Sequence, residues 1–337
     1  MVTDEAHEIS ILREEIKRLR GCLNRLTPSL SVMLRRRGFN IYKKEPPADL
    51  IVPDKQFIDG YYEMLKKYSF RIFLRDVIKH QPLVALAQVT RYATKEVTTE
   101  YVQYLVNIGM LIPEGENFRL RRGPIKRFGS TLEWFVSEIF CREFSAETIW
   151  CVKMKHRTVG GDYDLLSRIE GAIICMEIKS SPPRQIYQNE ISSFFERTHD
   201  LMPEMAIFFM DTELRMKDKI VPMFEEELRN RYQDPPEVRR VDRELFEISA
   251  QGTHGPKKLI INAKDSVVAN IEKVLESHFR GRAKKKEKEV CIICAWRATC
   301  QKQFSMKAGQ KYPDYCKDMT LREPEDAAKE TGAQGTK

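Results

Sequence analysis

The feature that most constrains the fold is the stretch GGDYDLLSRIEGAIICMEIKSS, in which a polar turn separates two short apolar segments. Residues 163–166 and 172–178 are each short enough for a strand, and the turn between them ends at Gly171. This pattern predicts a β-hairpin. Because side chains alternate along a strand, Glu177 and Lys179 should share one face at the end of the second strand.

The hairpin should bring Asp164 of the first strand close to Glu177. Two neighbouring carboxylates repel each other, and burial increases the repulsion. Lys179 can compensate part of this charge, and a divalent cation with oxygen ligands would compensate the rest. Such an ion can polarise a phosphodiester, and the lysine can orient or deprotonate a water or neutralise the transition state. A surface hairpin with solvated charges is the alternative, but it leaves unexplained why the charges end an isoleucine-rich strand.

These residues resemble the core of the PD-(D/E)XK nuclease superfamily. GGDYDLL and MEIKSS are similar to its Gly-x-x-Asp-hydrophobic and hydrophobic-Glu-x-Lys motifs, although Tyr163 stands where proline often precedes the aspartate. The resemblance covers residues 129–211 and implies a restriction-endonuclease-like mixed-sheet core. It also implies a metal-dependent deoxyribonuclease in which Asp164 and Glu177 hold Mg²⁺ or Mn²⁺ and Lys179 orients the attacking water. Endonuclease and exonuclease activity both stay open.

The same resemblance implies two further catalytic residues on flanking helices. GSTLEWFVSEIFCREF is a helix candidate before the hairpin, and it offers Glu133, with Glu138 as the alternative. The next helix should carry a polar residue, for which Gln188 is the match and Gln185 competes. The implied catalytic set is Glu133, Asp164, Glu177, Lys179 and Gln188.

Length and charge allow several domains and a polyanionic partner. The chain has 337 residues, 42% of them hydrophobic, and a net charge of +8, which suits DNA. No segment approaches the ~20 apolar residues that a membrane helix needs. The N-terminus lacks an apolar signal core, so we expect a cytoplasmic protein without membrane contact.

Residues 1–56 form a predicted N-terminal segment with a helix and a proline-containing linker. Its apolar residues follow heptad spacing, which is typical of a short coiled coil. Homodimerisation through this helix and docking on the body of the chain are both open. The heptad positions are Ile9, Leu12, Ile16, Leu19, Leu23 and Leu26.

Residues 57–128 resemble a winged helix-turn-helix domain. Helices are expected over 68–80, 86–93 and 98–111, followed by a β-hairpin. Basic side chains in and after the hairpin would contact DNA phosphates, although the domain can equally serve as a packing or protein-interaction module. These DNA-binding candidates are Arg119, Arg121, Arg122, Lys126 and Arg127.

The C-terminal region contains a second candidate metal site, Cys291-x2-Cys294-x5-Cys300, with Cys316 following. Two cysteines at x2 spacing can bind one ion from a tight loop, and four thiolates suit zinc or an iron–sulfur cluster.

The segment CAWRATC also resembles the C-terminal iron–sulfur motif of RecB/AddB-like nucleases. That branch takes its fourth cysteine from upstream of the nuclease core, where this chain has Cys141 and Cys151. We favour Cys316 because it is local, with Cys141 second. The expected cofactor here is a [4Fe-4S] cluster or Zn²⁺.

The predicted fold class is α/β, with an N-terminal helix and winged helix, a mixed-sheet core with flanking helices, and a small cysteine-ligated module. Residues 214–279 are expected to be mostly helical. The predicted domains are 1–56, 57–128, 129–280, 281–322 for the cysteine module, and a disordered tail at 323–337.

The cysteine module predicts metal loss in a Cys291→Ser, Cys294→Ser double variant, because half of the thiolate shell is removed. In the wild type, elemental analysis should find about one zinc per chain if the metal is zinc. If it is an iron–sulfur cluster, elemental analysis should find iron and the protein should absorb near ~400 nm. Separate Cys316→Ser and Cys141→Ser variants identify the fourth ligand. Full metal content in the double variant would exclude the site.

Overall fold

A computed structural model of the chain describes Leu12, Glu15, Arg18, Leu19 and residues 28–43, 48–90, 93–155, 159, 161–249 and 255–293. For residues 43, 249 and 281–293 the description covers the backbone only. The chain divides into two compact units, Met1–Ile271 and Glu272–Lys337.

The helices whose bounds lie within the described residues are α1 (Leu30–Arg36), α2 (Ile58–Lys66), α3 (Tyr68–Lys79), α4 (Lys95–Asn107), α5 (Gly129–Phe144), α6 (Gln188–Leu201), α7 (Ile220–Arg231) and α8 (Val267–Ile293). The strands are β1 (Ile41–Lys43), β2 (Val84–Ala85), β3 (Leu111–Glu114), β4 (Asn117–Leu120), β5 (Glu147–Met154), β6 (Tyr163–Ile169), β7 (Ala172–Lys179), β8 (Met205–Met210), β9 (Glu237–Asp242), β10 (Leu245–Ser249) and β11 (Lys257–Asn262). Among the described helices none is both long enough and apolar enough to cross a membrane.

An eight-stranded mixed sheet forms the body of the first unit, in the order β1-β5-β6-β7-β8-β11-β10-β9. Strand β8 pairs in parallel with β7 and β11, and the other neighbours are antiparallel. The predicted hairpin is present as β6 and β7. Its turn residues Glu170 and Gly171 have φ of 48° and 74°, the left-handed values that a tight two-residue hairpin turn needs. The prediction of an α/β mixed sheet is confirmed, while the assignment to the nuclease family stays a prediction.

Two apolar clusters hold helices against this sheet. Phe194 of α6, Phe208 of β8 and Phe224 of α7 pack with ring centroids 5.2–5.8 Å apart. Leu30 and Leu34 of α1 pack in a second cluster with residues of β5, β6 and β7. Residues 1–56 therefore contribute an edge strand, β1, to the sheet and a helix, α1, that packs against it through two buried leucines.

The expectation of mostly helical structure over 214–279 was wrong for its middle part, which forms β9, β10 and β11. The sequence of β9, EVRRVD, is charged and largely exposed on both faces at the sheet edge. It therefore lacks the apolar alternation by which strands are recognised, as is common for edge strands.

Residues 57–128 contain the helices α2, α3 and α4 and a small sheet of order β2-β4-β3, whose strand β2 lies between α3 and α4 in the chain. The expected helix over 86–93 is instead a 3₁₀ turn over Leu86–Gln88. The next helix begins at Lys95, because the Thr94 side chain caps it by accepting from the Val97 amide. The DNA-binding role of this region stays a prediction.

Several predicted residues lie wholly or partly outside the described part of the chain. Leu12 and Leu19 of the heptad seam are helical and exposed, and the other four seam residues are not described. Cys294, Cys300 and Cys316 lie outside the described residues. Cys291 lies on α8, but its side chain is not described.

A buried ion pair joins α3 to the end of β8. The side chains of Arg71 and Asp211 are both 0% exposed, and Arg71 Nε and Nη2 donate to Asp211 Oδ1 at 2.9 and 2.8 Å. Arg75 contacts the other carboxylate oxygen. Burial alone would raise the pKa of Asp211, but Arg71 and Arg75 hold it below its usual value.

Replacing Asp211 by Ala should destabilise the fold by about 3–5 kcal/mol, because Arg71 would stay buried without its counter-ion. Urea unfolding measures this change. Glu63→Ala, which breaks an exposed ion pair with Lys66, is the control and should cost no more than about 1 kcal/mol. Because the folded pKa of Asp211 is depressed, its contribution should be complete above about pH 4 and lost on further acidification. Equal losses in the two variants would contradict this role.

Candidate active site

The register of the central hairpin brings two carboxylates together. Leu165 of β6 pairs with Met176 of β7, so Asp164 and Glu177 occupy the next opposed positions. Asp164 Oδ2 accepts a hydrogen bond of 2.7 Å from the Ile178 amide. The backbone therefore fixes one oxygen of Asp164 beside the strand that carries Glu177.

Two cationic side chains compensate the charge of Glu177, which is only 5% exposed. Its Oε1 lies 2.9 Å from Lys179 Nζ, and its Oε2 accepts a hydrogen bond of 2.6 Å from Arg197 Nη2. Lys179 Nζ also lies 2.8 Å from Glu190 Oε2. Both oxygens of Glu177 thus already have cationic partners.

Negative charge nevertheless dominates the electrostatics of the other two acids. Burial, followed by the charges of Glu177 and Glu133, raises the pKa of Asp164 well above its usual value. For Glu133 on α5, burial and then the charges of Glu177 and Asp162 raise the pKa to about 7. Added positive charge in this pocket would lower both pKa values.

Lys179 is held in the protonated form. Burial alone would lower its pKa, but the charge of Glu177 and hydrogen bonds to Glu190 and Glu177 raise it above its ordinary value. An ammonium that stays protonated donates hydrogen bonds and cannot accept a proton. Of the three roles considered from sequence, this favours orientation of the water and charge neutralisation over deprotonation of the water.

Except for Glu133, which reaches the site through its electrostatic interactions with Glu177 and Asp164, these side chains line an open pocket of about 380 Å³. Gly161 at its edge has φ +102°, and a Cβ there would lie 3.0 Å from Arg197 Nη1. A larger residue would be strained and would crowd the arginine that binds Glu177. The pocket is lined by Gly161, Asp162, Asp164, Glu177, Lys179, Asn189, Glu190, Ser193 and Arg197.

The structure brings four of the five predicted catalytic residues into mutual electrostatic contact: Glu133, Asp164, Glu177 and Lys179. Gln188 lies elsewhere, because its Nε2 donates to Met223 O at 3.0 Å and to Glu227 Oε2 at 3.2 Å. It is not among the residues that line the pocket.

The two alternatives from sequence also have other neighbours. Glu138 forms an ion pair with Arg142. Gln185 ends a 3₁₀ turn and lines a different cavity from Asp164. Neither side chain lines the Asp164 pocket.

Sequence reasoning missed Glu190 and Arg197, the two α6 residues that bind the central charges. Their signal is helical spacing: positions 190, 193 and 197 lie on one face of the helix and carry polar or charged side chains. The polar stripe of this helix, rather than a glutamine at its start, indicates which side faces the pocket.

The basic side chains predicted to contact DNA differ in whether an acidic side chain is paired with them. Arg119 is paired with Glu114, which offsets its charge. The other predicted contacts, Arg121, Arg122, Lys126 and Arg127, are exposed. Arg127 lowers the pKa of Glu133, so the end of this basic segment lies within electrostatic reach of the pocket.

The pocket's donor chemistry suits a hard divalent cation, since Asp164 and Glu177 offer oxygen ligands. Within the described residues, however, no group of three or more His, Cys, Asp and Glu side chains is arranged to hold a metal ion. A metal ion bound by Glu177 would share its oxygens with Lys179 and Arg197, on the lone pairs that these two contacts leave open.

No model of a known protein family matches this chain, and no curated protein sequence matches it. Protein VC1899 from Vibrio cholerae is a structurally similar chain, with a TM-score of 0.36, 13% identity and coverage of 55% of this chain and 52% of that one. Can2 from Sulfobacillus thermosulfidooxidans, solved in complex with cyclic tetra-adenylate, has a TM-score of 0.34 and 14% identity, covering 54% of this chain and 50% of its own. This chain thus spans about half of each structure, and at these TM-scores neither likeness supports an inference about function.

The pKa of Glu133 predicts a pH-dependent loss of stability in metal-free protein. The pKa is raised from 4.5 to about 7 by folding, so the protonated acid favours the folded state below pH 4.5, and this advantage is lost as the pH rises through 7. Glu133→Gln should therefore be more stable than wild type at pH 8, by on the order of 2 kcal/mol. Urea unfolding in chelator at pH 5 and pH 8 measures this difference.

Glu138→Gln is the matched control, since Glu138 lies on the same helix and is paired with Arg142. It should show no such gain between pH 5 and pH 8. A Glu133→Gln profile parallel to that of wild type would contradict the electrostatic strain assigned to this pocket.

Proposed function

We propose that this protein hydrolyses phosphodiester bonds in DNA, with Asp164 and Glu177 as ligands of Mg²⁺ or Mn²⁺. One observation carries the proposal: acids outnumber bases in an open pocket, and burial together with their mutual repulsion raises the pKa of Asp164 and Glu133. Such a pocket is stabilised by an added cation, and its oxygen ligands suit the ions that phosphoryl chemistry uses.

Each side chain has a distinct part in the proposed reaction. The ion, when bound, supplies positive charge that polarises the phosphodiester and offsets the charge of the departing oxygen. Lys179 orients the attacking water and stabilises negative charge as an ammonium. Glu133, whose charge interacts with that of Glu177, would have a lower pKa with the ion bound, so that it would be ionised at neutral pH and able to accept a proton.

DNA is the proposed substrate because of the basic residues in and after the hairpin of β3 and β4, of which Arg127 lies within electrostatic reach of Glu133. Arg121, Arg122, Lys126 and Arg127 are exposed, and such side chains contact phosphates without reading sequence. The net charge of +8 favours association with a polyanion.

The C-terminal cysteines would hold the second centre, an iron–sulfur cluster or Zn²⁺, in a structural role.

A second candidate function is DNA binding or assembly without catalysis. The observation in its favour is that Lys179 and Arg197 occupy both oxygens of Glu177. An ion-pair network of this kind can serve the fold alone and bind no metal.

Cleavage assays on labelled single- and double-stranded DNA with Mg²⁺ or Mn²⁺ test the proposal. Asp164→Asn, Glu177→Gln and Lys179→Met should each reduce cleavage by on the order of 100-fold or more, because each removes a ligand or the charge beside the reacting phosphate. DNA affinity should change little, since the proposed phosphate contacts lie elsewhere.

Glu170→Gln, in the turn of the same hairpin, is the control and should cleave like wild type. Cleavage by Asp164→Asn at the wild-type rate would show that the active site is misassigned. Salt-dependent DNA binding by wild type, without cleavage in either metal, would favour the non-catalytic function.

A further inference from the structure

A second cavity, of about 430 Å³, is lined by residues of α6, α7, β10 and β11. Phe195, Leu228 and Ile248 provide its buried apolar wall. Its volume lies within the range of small-molecule sites, which combine apolar walls with a few polar groups. None of its lining residues lines the Asp164 pocket.

Lys258 is the unusual residue of this cavity, because it is half-buried and lacks a carboxylate partner among the described residues. Its Nζ lies 5.9 Å from the centroid of the Phe195 ring and 3.5 Å from Pro256 O. Burial lowers the pKa of Lys258, and no carboxylate opposes this shift. The neighbouring Lys257, in contrast, is paired with Glu247 at 3.3 Å.

The other charged groups of the cavity do not compensate Lys258. Arg231 is held by Glu227 at 2.5 Å and lies over the Phe195 ring at 5.4 Å, so its own charge is offset. Asp234 and Glu237 line the cavity but are exposed and form no ion pair with Lys258.

Apolar side chains are also exposed where the cavity opens. Met202 is 50% exposed and Tyr232 is 43% exposed, and both line the cavity. Exposed apolar side chains beside a concave apolar wall are typical of a binding surface. A ligand with an apolar body would remove them from water.

We propose that this cavity binds a small organic anion whose charged group contacts Lys258 and whose apolar body packs on Phe195, Leu228 and Ile248. A bound anion would supply the negative charge that Lys258, a half-buried ammonium, does not receive from a carboxylate of the described residues. The apolar wall would contact the apolar body of the ligand. An inorganic anion has no such body and would leave this wall exposed to water. The site is independent of the proposed nuclease function.

Fluorescence titration of the full chain with 8-anilinonaphthalene-1-sulfonate, an organic anion with an apolar body, tests the site. We expect saturable binding that naphthalene-1-sulfonate displaces and neutral naphthalene-1-methanol does not displace at the same concentration. Lys258→Met should weaken binding at least about tenfold, because a charged contact is lost. Lys257→Met, one residue away but paired with Glu247, should bind like wild type.

Equal dye affinity in Lys258→Met and wild type would overturn the proposal, as would the absence of saturable binding. Lys258→Met should melt at or above the wild-type temperature, because it replaces an uncompensated amine with an apolar side chain of similar length. If this variant fails to fold, Lys258→Gln gives the same comparison.

Discussion

The register of β6 against β7 places Asp164 opposite Glu177, and the other charges of the site follow from that juxtaposition. Two carboxylates at this spacing, with Glu177 buried, repel each other unless positive charge is close. Lys179 and Arg197 supply it to Glu177. Asp164 receives a backbone hydrogen bond instead, and it keeps a raised pKa. The pocket is therefore only partly neutralised, and this residual negative charge is the basis of the proposed cation site.

The buried carboxylate of Asp211 shows the opposite balance of charge. Two arginines face that single buried carboxylate, and its pKa is lowered. In the Asp164 pocket, acids outnumber bases and the pKa values rise. The two clusters are also mechanically connected, because the Asp211 amide donates to Lys179 O at 2.9 Å. Arg71 on α3 thus helps to hold the end of β7, where Lys179 lies.

Local sequence patterns predicted the central elements because buried strands and helices consist of recognisable apolar segments. The two apolar segments around Gly171 became β6 and β7, and the helix candidate before them became α5. The same approach failed for β9, whose residues are charged and exposed on both faces. It also failed to orient α6, since choosing Gln188 over Arg197 depends on which side of the helix packs against α7.

The sequence by itself determined that Asp164, Glu177 and Lys179 meet at one edge of a strand pair, because alternation and a two-residue turn are local properties. Only the tertiary structure decided which groups from distant segments join them: Glu133 from α5, and Glu190 and Arg197 from α6. Only it shows that, among the described residues, Lys258 has no carboxylate partner while Lys257 is paired with Glu247. These outcomes depend on packing between elements far apart in the chain, for which no short pattern codes, and on burial, which sets the strength of each charge interaction.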